Sequence, residues 1–311
     1  MKSGREEGKQ RSDVEGDGRK RGRSRMEEEV LKSYKTAESI SNSCIPFAKS
    51  LVKEGAKALD IAERIEEKIR QLGGKPAWPV NISINENAAH YTPDVDDTTV
   101  LKEGDFVKID IGVHVDGYIW DKAFTICIGA KTHPLIEASE LALEAALKLI
   151  KPGTRISEIS EVVESVVTEA GFNPVRNLCG HGLERYNQHA WPSIPNGRNN
   201  IKDEIPADSV IAMEVFTTTG TGWVKESDLA LIYQYVEEKP VRMWEARQIL
   251  QKARQEFNGL PFAKRWLNIT PVKAEFALKQ LLDAGAIKAH RILKEQTDKP
   301  VAQTEETIIV K

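Results

Sequence analysis

Between residues 27 and 53, the apolar side chains Val30, Leu31, Tyr34, Ala37, Ile40, Ile45, Ala48 and Leu51 recur every three or four positions. That period predicts an amphipathic helix, continuous or broken in places. A second helix, over 59–72, gathers Ile61, Ala62, Ile65 and Ile69 on one face and stops at Gly73-Gly74, glycine being a common helix terminator. A short strand at 80–84 follows, then a long apolar stretch over 106–128, interrupted by Asp116-Gly117. Asp-Gly between two strand-like runs predicts a hairpin turn. Helical periodicity returns over 135–150 and again over 156–170, just before Gly171.

The second half repeats the first. A shift of 98 residues lays Gly55 on Gly153, Ile61 on Ile159, Glu63 on Glu161, Ile69 on Val167, Gly73 on Gly171 and Pro76 on Pro174, without a gap. We read an internal duplication: two helix-helix-strand halves packed as a pseudo-twofold α+β domain, with a site at their junction. Residues 238–298 break this symmetry and read as a small helical insert, with 243–257 and 271–284 its clearest helices. A closing strand at 301–310 returns apolar β-branched residues. The expected organisation is thus a tail at 1–25, a main domain at 26–237, an insert at 238–298 and a closing strand at 299–311.

Composition narrows the function. Lys and Arg number 44 against 47 Asp and Glu, a net charge of −3, which argues against a dedicated nucleic-acid binder. No apolar run reaches the length of a membrane span, and the N-terminus lacks an apolar signal core. Cys44, Cys127 and Cys179 are odd in number and scattered, which suits a reducing cytoplasm better than a disulfide scaffold. Residues 1–25 hold little apolar surface and read as disordered. Their basic run, Arg19 to Arg25, offers contact with ribosomal RNA, although a solvated tail is the simpler reading.

Two acids stand inside apolar strand runs. If the hairpin turns on Val115-Asp116, Asp110 faces Asp121 directly; if on Asp116-Gly117, Asp121 is its diagonal neighbour. Both registers put the carboxylates on one face, ~5 to 8 Å apart. Like charges that close on a buried face are costly unless a cation lies between them. The alternative, two surface acids on an edge strand, fits poorly with the neighbours Ile109, Ile111, Ile119 and Trp120. Glu214, in a strand that the duplication equates with 106–110, approaches the pair from the second half. Of Glu305 and Glu306 only one can point inward, and the pattern does not choose. His90, His181 and His189 sit beside glycines and turn residues where backbone can approach a site; His114 and His133 read as surface residues. Four carboxylates with one or two imidazoles suit a pair of divalent cations better than a structural zinc.

Several ordered segments resemble one family. Gly74-Lys75-Pro76-Ala77-Trp78-Pro79-Val80-Asn81, Ala88-Ala89-His90-Tyr91-Thr92-Pro93, Lys108-Ile109-Asp110-Ile111-Gly112-Val113, Gly180-His181 and Pro261-Phe262-Ala263-Lys264-Arg265-Trp266-Leu267 are similar to type 2 methionine aminopeptidases of the short archaeal kind. The resemblance runs from Met26 to Lys311. It implies the pita-bread fold and a cytoplasmic, monomeric enzyme acting on N-terminal Met peptides and nascent chains, with a small second residue. It further implies two divalent cations, Co, Mn, Fe or Zn, with Asp110 chelating one, Asp121 and Glu305 bridging, and His181 and Glu214 on the other. Glu214 would shuttle a proton, and His90 and His189 would hold the scissile amide and the tetrahedral intermediate. Trp78 would be an aromatic wall of the methionine pocket.

The sequence departs from that pattern where Phe-Glu-His becomes Thr304-Glu305-Glu306, an apolar residue becomes Gln188 and a glycine becomes Trp191. Trp78 replaces the usual Phe, and His290 with Arg291 replaces an expected Tyr-Pro. A shifted side-chain specificity, or an inactive pita-bread protein binding ribosomes through the tail, are therefore the competing readings.

Overall fold

A computed structural model describes residues 26–311; the tail and its basic run lie outside the described residues. Helix α1 (Glu28–Leu51) runs unbroken through Pro46. Helix α2 (Ala58–Gln71) buries Ile61, Ile65 and Ile69. Short strands β1 (Lys75–Pro76), β2 (Asn81–Ile84) and β3 (Asn87–Ala89) lead to the hairpin β4 (Phe106–Val115) and β5 (Tyr118–Cys127). Asp116 and Gly117 between them both have positive φ, 52° and 89°, a turn geometry that Asp-Gly satisfies without strain. The turn therefore sets the register, and Asp110 pairs with Ala123 while Gly112 pairs with Asp121. Asp121 is the diagonal neighbour of Asp110.

The second half opens with α3 (Pro134–Leu149) and α4 (Ile156–Glu169), then β6 (Asn173–Pro174), β7 (Cys179–Glu184), β8 (Asn187–Pro195) and β9 (Val210–Thr218). Helices α2 and α4 start and end at positions that the 98-residue shift superposes, as do β1 and β6. The glycines before each helix, Gly55 and Gly153, share a left-handed backbone (φ +78° and +84°). By β4 and β9 the offset has grown to 104, Asp110 matching Glu214, because the β7–β8 hairpin is longer than its counterpart β2–β3.

Strand β13 (Val301–Ile309) closes the main sheet, whose order is β1-β4-β5-β13-β9-β7-β8, with β2 also on β4 and β6 also on β9. A pseudo-twofold axis passes between β5 and β13. Helices α1 and α2 pack their aliphatic faces on one half of this sheet and α3 and α4 on the other. Each buried Ile or Leu contributes roughly 1.5–3 kcal/mol. The opposite face of the sheet is left for the site.

The insert differs from expectation. It holds α5 (Trp244–Gln255) and α6 (Pro271–Asp283), but also β11 (Phe262–Ala263) and β12 (Ile287–Glu295). These strands join β10 (Val224–Tyr235) and β3 in a second sheet, ordered β11-β10-β12-β3. The segment 287–295 carries Lys, Ala, Leu and Glu in a helix-like mixture, yet long pairing with β10 decides its state, as tertiary context overrides propensity in strands. An ion pair ties the insert to the main domain. Arg265 pairs with Glu66 of α2 and donates to Thr92 Oγ1 (2.7 Å) and the Pro93 carbonyl. Trp266 Nε1 donates to the other Glu66 oxygen at 2.8 Å, and the Val80 N–H donates to Glu66 as well.

Candidate metal centre and active site

One register row across the main sheet reads Asn81 on β2, Asp110 on β4, Ala123 on β5, Glu305 on β13 and Glu214 on β9. Two residues further along the strands, on the same face, come Gly112, Asp121, Ala212 and His181. Pleating sends every second side chain to one face, so the two rows aim four carboxylates and one imidazole at a common point. Ala123, Gly112 and Ala212 leave space between them. Glu305 is buried here, whereas Glu306 turns the other way and pairs with Lys122 at 2.6 Å. That contact answers which of the two acids faces inward.

His181 Nε2 lies 3.8 Å from Asp121 and 4.0 Å from Glu305. Its Nδ1 faces the Gly182 carbonyl at 3.3 Å, so Nδ1 carries the proton and the Nε2 lone pair is aimed at the acids. Asp121, His181 and Glu305 place one ligand atom each within 4.8 Å of one another. Asp121 Oδ1 and Glu305 Oε1 are buried without a hydrogen-bond partner among the described residues. Orphaned anionic oxygens at the middle of an acid cluster, with a lone pair presented to them, fit divalent cations and little else.

The acids pay electrostatically for their crowding. Burial pushes Asp110 up to about 6, against hydrogen bonds from Trp78 and Gln303 that favour its charge. Burial and then the charges of Glu305, Asp110 and Glu214 push Asp121 well above the usual carboxylate range. Glu214 and Glu305 are raised for the same reasons, burial first. A carboxyl raised on folding binds protons that the unfolded chain has already lost. Its contribution to stability is full near pH 4 and disappears as pH rises through the folded value, about 6 for Asp110 and higher for the others. Cations displace those protons. The gain in Tm on adding Mn²⁺ to chelated protein should therefore grow between pH 5.5 and 7.5, by about 5 °C for one displaced proton. Scanning calorimetry at the two pH values checks this; a gain independent of pH would contradict it. Buried histidines such as His181, pushed down to about 4, act in the opposite direction below pH 6.5.

Ten of the residues singled out from the sequence line one cavity of about 420 Å³: Asp110, Asp121, His181, Glu214 and Glu305, with His90, His189, Trp78, Gln188 and His290. Trp78 donates its Nε1–H to Asp110 at 3.0 Å, so the aromatic wall also steadies an acid. Its ring covers Gly112, where a Cβ would meet it at 2.5 Å. His90 adopts φ +67°, uncommon for a side-chain-bearing residue. Asn81 holds it there by accepting its backbone N–H at 2.9 Å. His90 Nδ1 meets the Arg291 carbonyl at 3.1 Å, which leaves Nε2 as the bare acceptor. His189 sets its ring edge-on to His181, centroids 4.7 Å apart.

Other expectations need correction. Trp191 is 58% exposed and does not line the cavity. His114 is buried, not on the surface; its Nδ1 accepts the Gly117 N–H and its ring packs on Tyr186. His133 caps α3, accepting the Leu135 N–H, and lies edge-on to Phe106. Sequence reasoning missed Gln303, whose Nε2 reaches Glu214 and Glu305 at 3.4 and 3.3 Å. Its position two residues before Glu305 on the same strand face was the available signal. It also missed Gln234, which bridges Gln188 and His290.

The sequence from residue 32 to 257 matches the model of metallopeptidase family M24. A methionine aminopeptidase of Thermococcus onnurineus is 48% identical over 91% of this chain and 96% of its own. Among solved structures, a thermophilic Arx1 matches with a TM-score of 0.82 at 21% identity, covering 91% of this chain and 88% of that one. The methionine aminopeptidase of Thermotoga maritima matches with a TM-score of 0.64, also at 21% identity, over 91% of this chain and 92% of that one. At such identities the structural matches speak for the fold, while the long sequence match and the family model carry the assignment. The chain belongs to metallopeptidase family M24, among its methionine aminopeptidases, a family whose members work with divalent metal ions.

Proposed function

We propose that this chain removes the N-terminal methionine from peptides and nascent chains whose second residue is small. The observation that carries the reading is the pair of buried oxygens on Asp121 and Glu305 that have no hydrogen-bond partner among the described residues, beside the aimed lone pair of His181. Asp110, Asp121, His181, Glu214 and Glu305 would hold a pair of divalent cations. Bound there, the cations supply Lewis acidity and a water acidic enough to deprotonate near neutral pH.

The chain's own groups do the remainder. Glu214, buried and reached by the Gln303 amide, takes a proton from the attacking water and passes it to the departing amine. His90 presents bare Nε2 to the N–H of the scissile amide, its backbone held by Asn81 and its ring by the Arg291 carbonyl. His189, an exposed residue of the cavity lining set edge-on to His181, stabilises the oxygen that gains charge as the carbonyl becomes tetrahedral. Trp78 and Gln188 flank the space for the methionine side chain.

A pita-bread protein that only binds ribosomes would have no use for four converging buried acids, whose mutual repulsion destabilises the metal-free protein. The deciding experiment measures release of the first residue from Met-Ala-Ser and Leu-Ala-Ser, first in chelator and then with Mn²⁺ or Co²⁺. Metal-restored cleavage of the Met peptide is expected, with little from Leu. Preferential cleavage of Leu would keep the chemistry and refute the specificity. No turnover with any metal would refute the enzyme.

A further inference from the structure

The cavity wall is apolar at Ile232, Pro261 and Leu293, yet Gln188 and His290 line it too, and both bond to Gln234. Gln188 Nε2 donates to Gln234 Oε1 at 3.1 Å, and Gln234 Nε2 faces Gln188 Oε1 at 3.3 Å. Gln234 Nε2 also donates to the Gly259 carbonyl at 2.9 Å, and His290 Nε2 lies 2.9 Å from Gln234 Oε1. The Gly259 carbonyl can only accept, so it fixes which end of the Gln234 amide is nitrogen. Gln234 Oε1 can then only accept, which puts a proton on His290 Nε2 and orients the Gln188 amide. Both N–H groups and both lone pairs of the Gln234 amide are occupied. Gln188 is not so filled: one of its N–H groups has no partner among the described residues, although the side chain is only 4% exposed.

We propose that Gln188 is a specificity-determining residue, whose spare N–H donates to an acceptor at the δ position of the substrate's N-terminal side chain. This rests on the aminopeptidase reading above and deepens it. The class of side chain selected is unbranched and carries a hydrogen-bond acceptor where norleucine carries only a methylene. The thioether sulfur of methionine meets this weakly, and the S=O oxygen of methionine sulfoxide meets it well. Norleucine, of the same length and shape as methionine, would leave the buried N–H unpaired, which sites built around a donor discriminate against strongly. Gln234 and His290 are positioning residues: Gln234 pairs with the Gln188 amide and His290 holds Gln234, which together stop the Gln188 amide from rotating to satisfy itself elsewhere.

The test compares kcat/KM of the Mn²⁺-loaded full chain on Met-Ala-Ser, methionine-sulfoxide-Ala-Ser and norleucine-Ala-Ser. The sulfoxide peptide should exceed the norleucine peptide by about tenfold or more. Gln188→Leu should reverse that order, raising norleucine and lowering the sulfoxide. Gln234→Met, which keeps Gln188 but releases it, should bring the two peptides close to parity and serves where Gln188→Leu fails to fold. Norleucine cleaved as well as the sulfoxide by the parent, or an order unchanged in both variants, would overturn the proposal. Calorimetric binding of free L-methionine sulfoxide and L-norleucine to the same Mn²⁺-loaded protein separates this claim from the activity. Absent turnover with Gln188-dependent preference for the sulfoxide would sink the aminopeptidase reading and keep the pocket; turnover of Met-Ala-Ser without that preference would do the reverse.

Discussion

Asparagine in place of Asp121 is expected to lower kcat/KM on Met-Ala-Ser at least about 10³-fold, and yet to leave the chelated protein as stable as its parent or more so. The loss follows from the position. Asp121 lies on β5, between the strands that carry Asp110 and Glu305 and two residues along from their row, with its Oδ1 unpartnered among the described residues and its other oxygen near His181. On the proposed reading Asp121 would help to hold the cations, whose electrostatic contribution to the transition state is several kcal/mol, or about three decades in rate. The gain in chelator follows from the same crowding, because one of four mutually repelling buried acids becomes neutral. Activity assays and melting curves, each with and without Mn²⁺, read the two effects separately. A variant that loses activity by unfolding would melt lower in chelator, and that result would contradict the account.

Leucine in place of Arg265 is expected to cost about 3–5 kcal/mol, the usual loss when one partner of a buried ion pair is removed. For a domain this size that corresponds to a fall in Tm of about 5–9 °C. Arg265 and Glu66 are each 3% exposed in their side chains. Glu66 would be left facing only Trp266, the Val80 N–H and the more distant Arg70. Replacing both residues by leucine should cost less than the two single losses summed, since the double variant strands no charge. Chemical denaturation of the four proteins completes the cycle. Single losses under 1 kcal/mol, or strict additivity, would show that the insert is held by its apolar contacts alone.

The duplication was legible because it is written in helices, whose period and glycine stops depend on local sequence. Gly55, Gly73, Gly153 and Gly171 all adopt the left-handed backbone that made them punctuation marks. The acids were legible for a related reason: charge inside an apolar strand run is conspicuous, and period-two geometry ties Asp110 to Asp121 in either register. What escaped depends on partners distant in the chain. Glu305 and Glu306 differ only in that Lys122 waits on one side of the sheet. Strand β12 is a strand because β10 lies beside it. His114 is buried because Tyr186, from the other half, covers it. Gln303 and Gln234 looked like ordinary polar residues until the sheets brought acids and a histidine to them.

We propose that Asp110, Asp121, His181, Glu214 and Glu305 make one two-cation centre that performs the hydrolysis. Adding Mn²⁺ stepwise to chelator-treated full chain, and reading bound metal and Met-Ala-Ser turnover on the same samples, tests it most directly. The account predicts no turnover without metal and a rate that climbs with bound Mn²⁺ to a plateau at two ions per chain. Turnover in chelator, or two ions bound by the Asp121→Asn variant as tightly as by the parent, would contradict it.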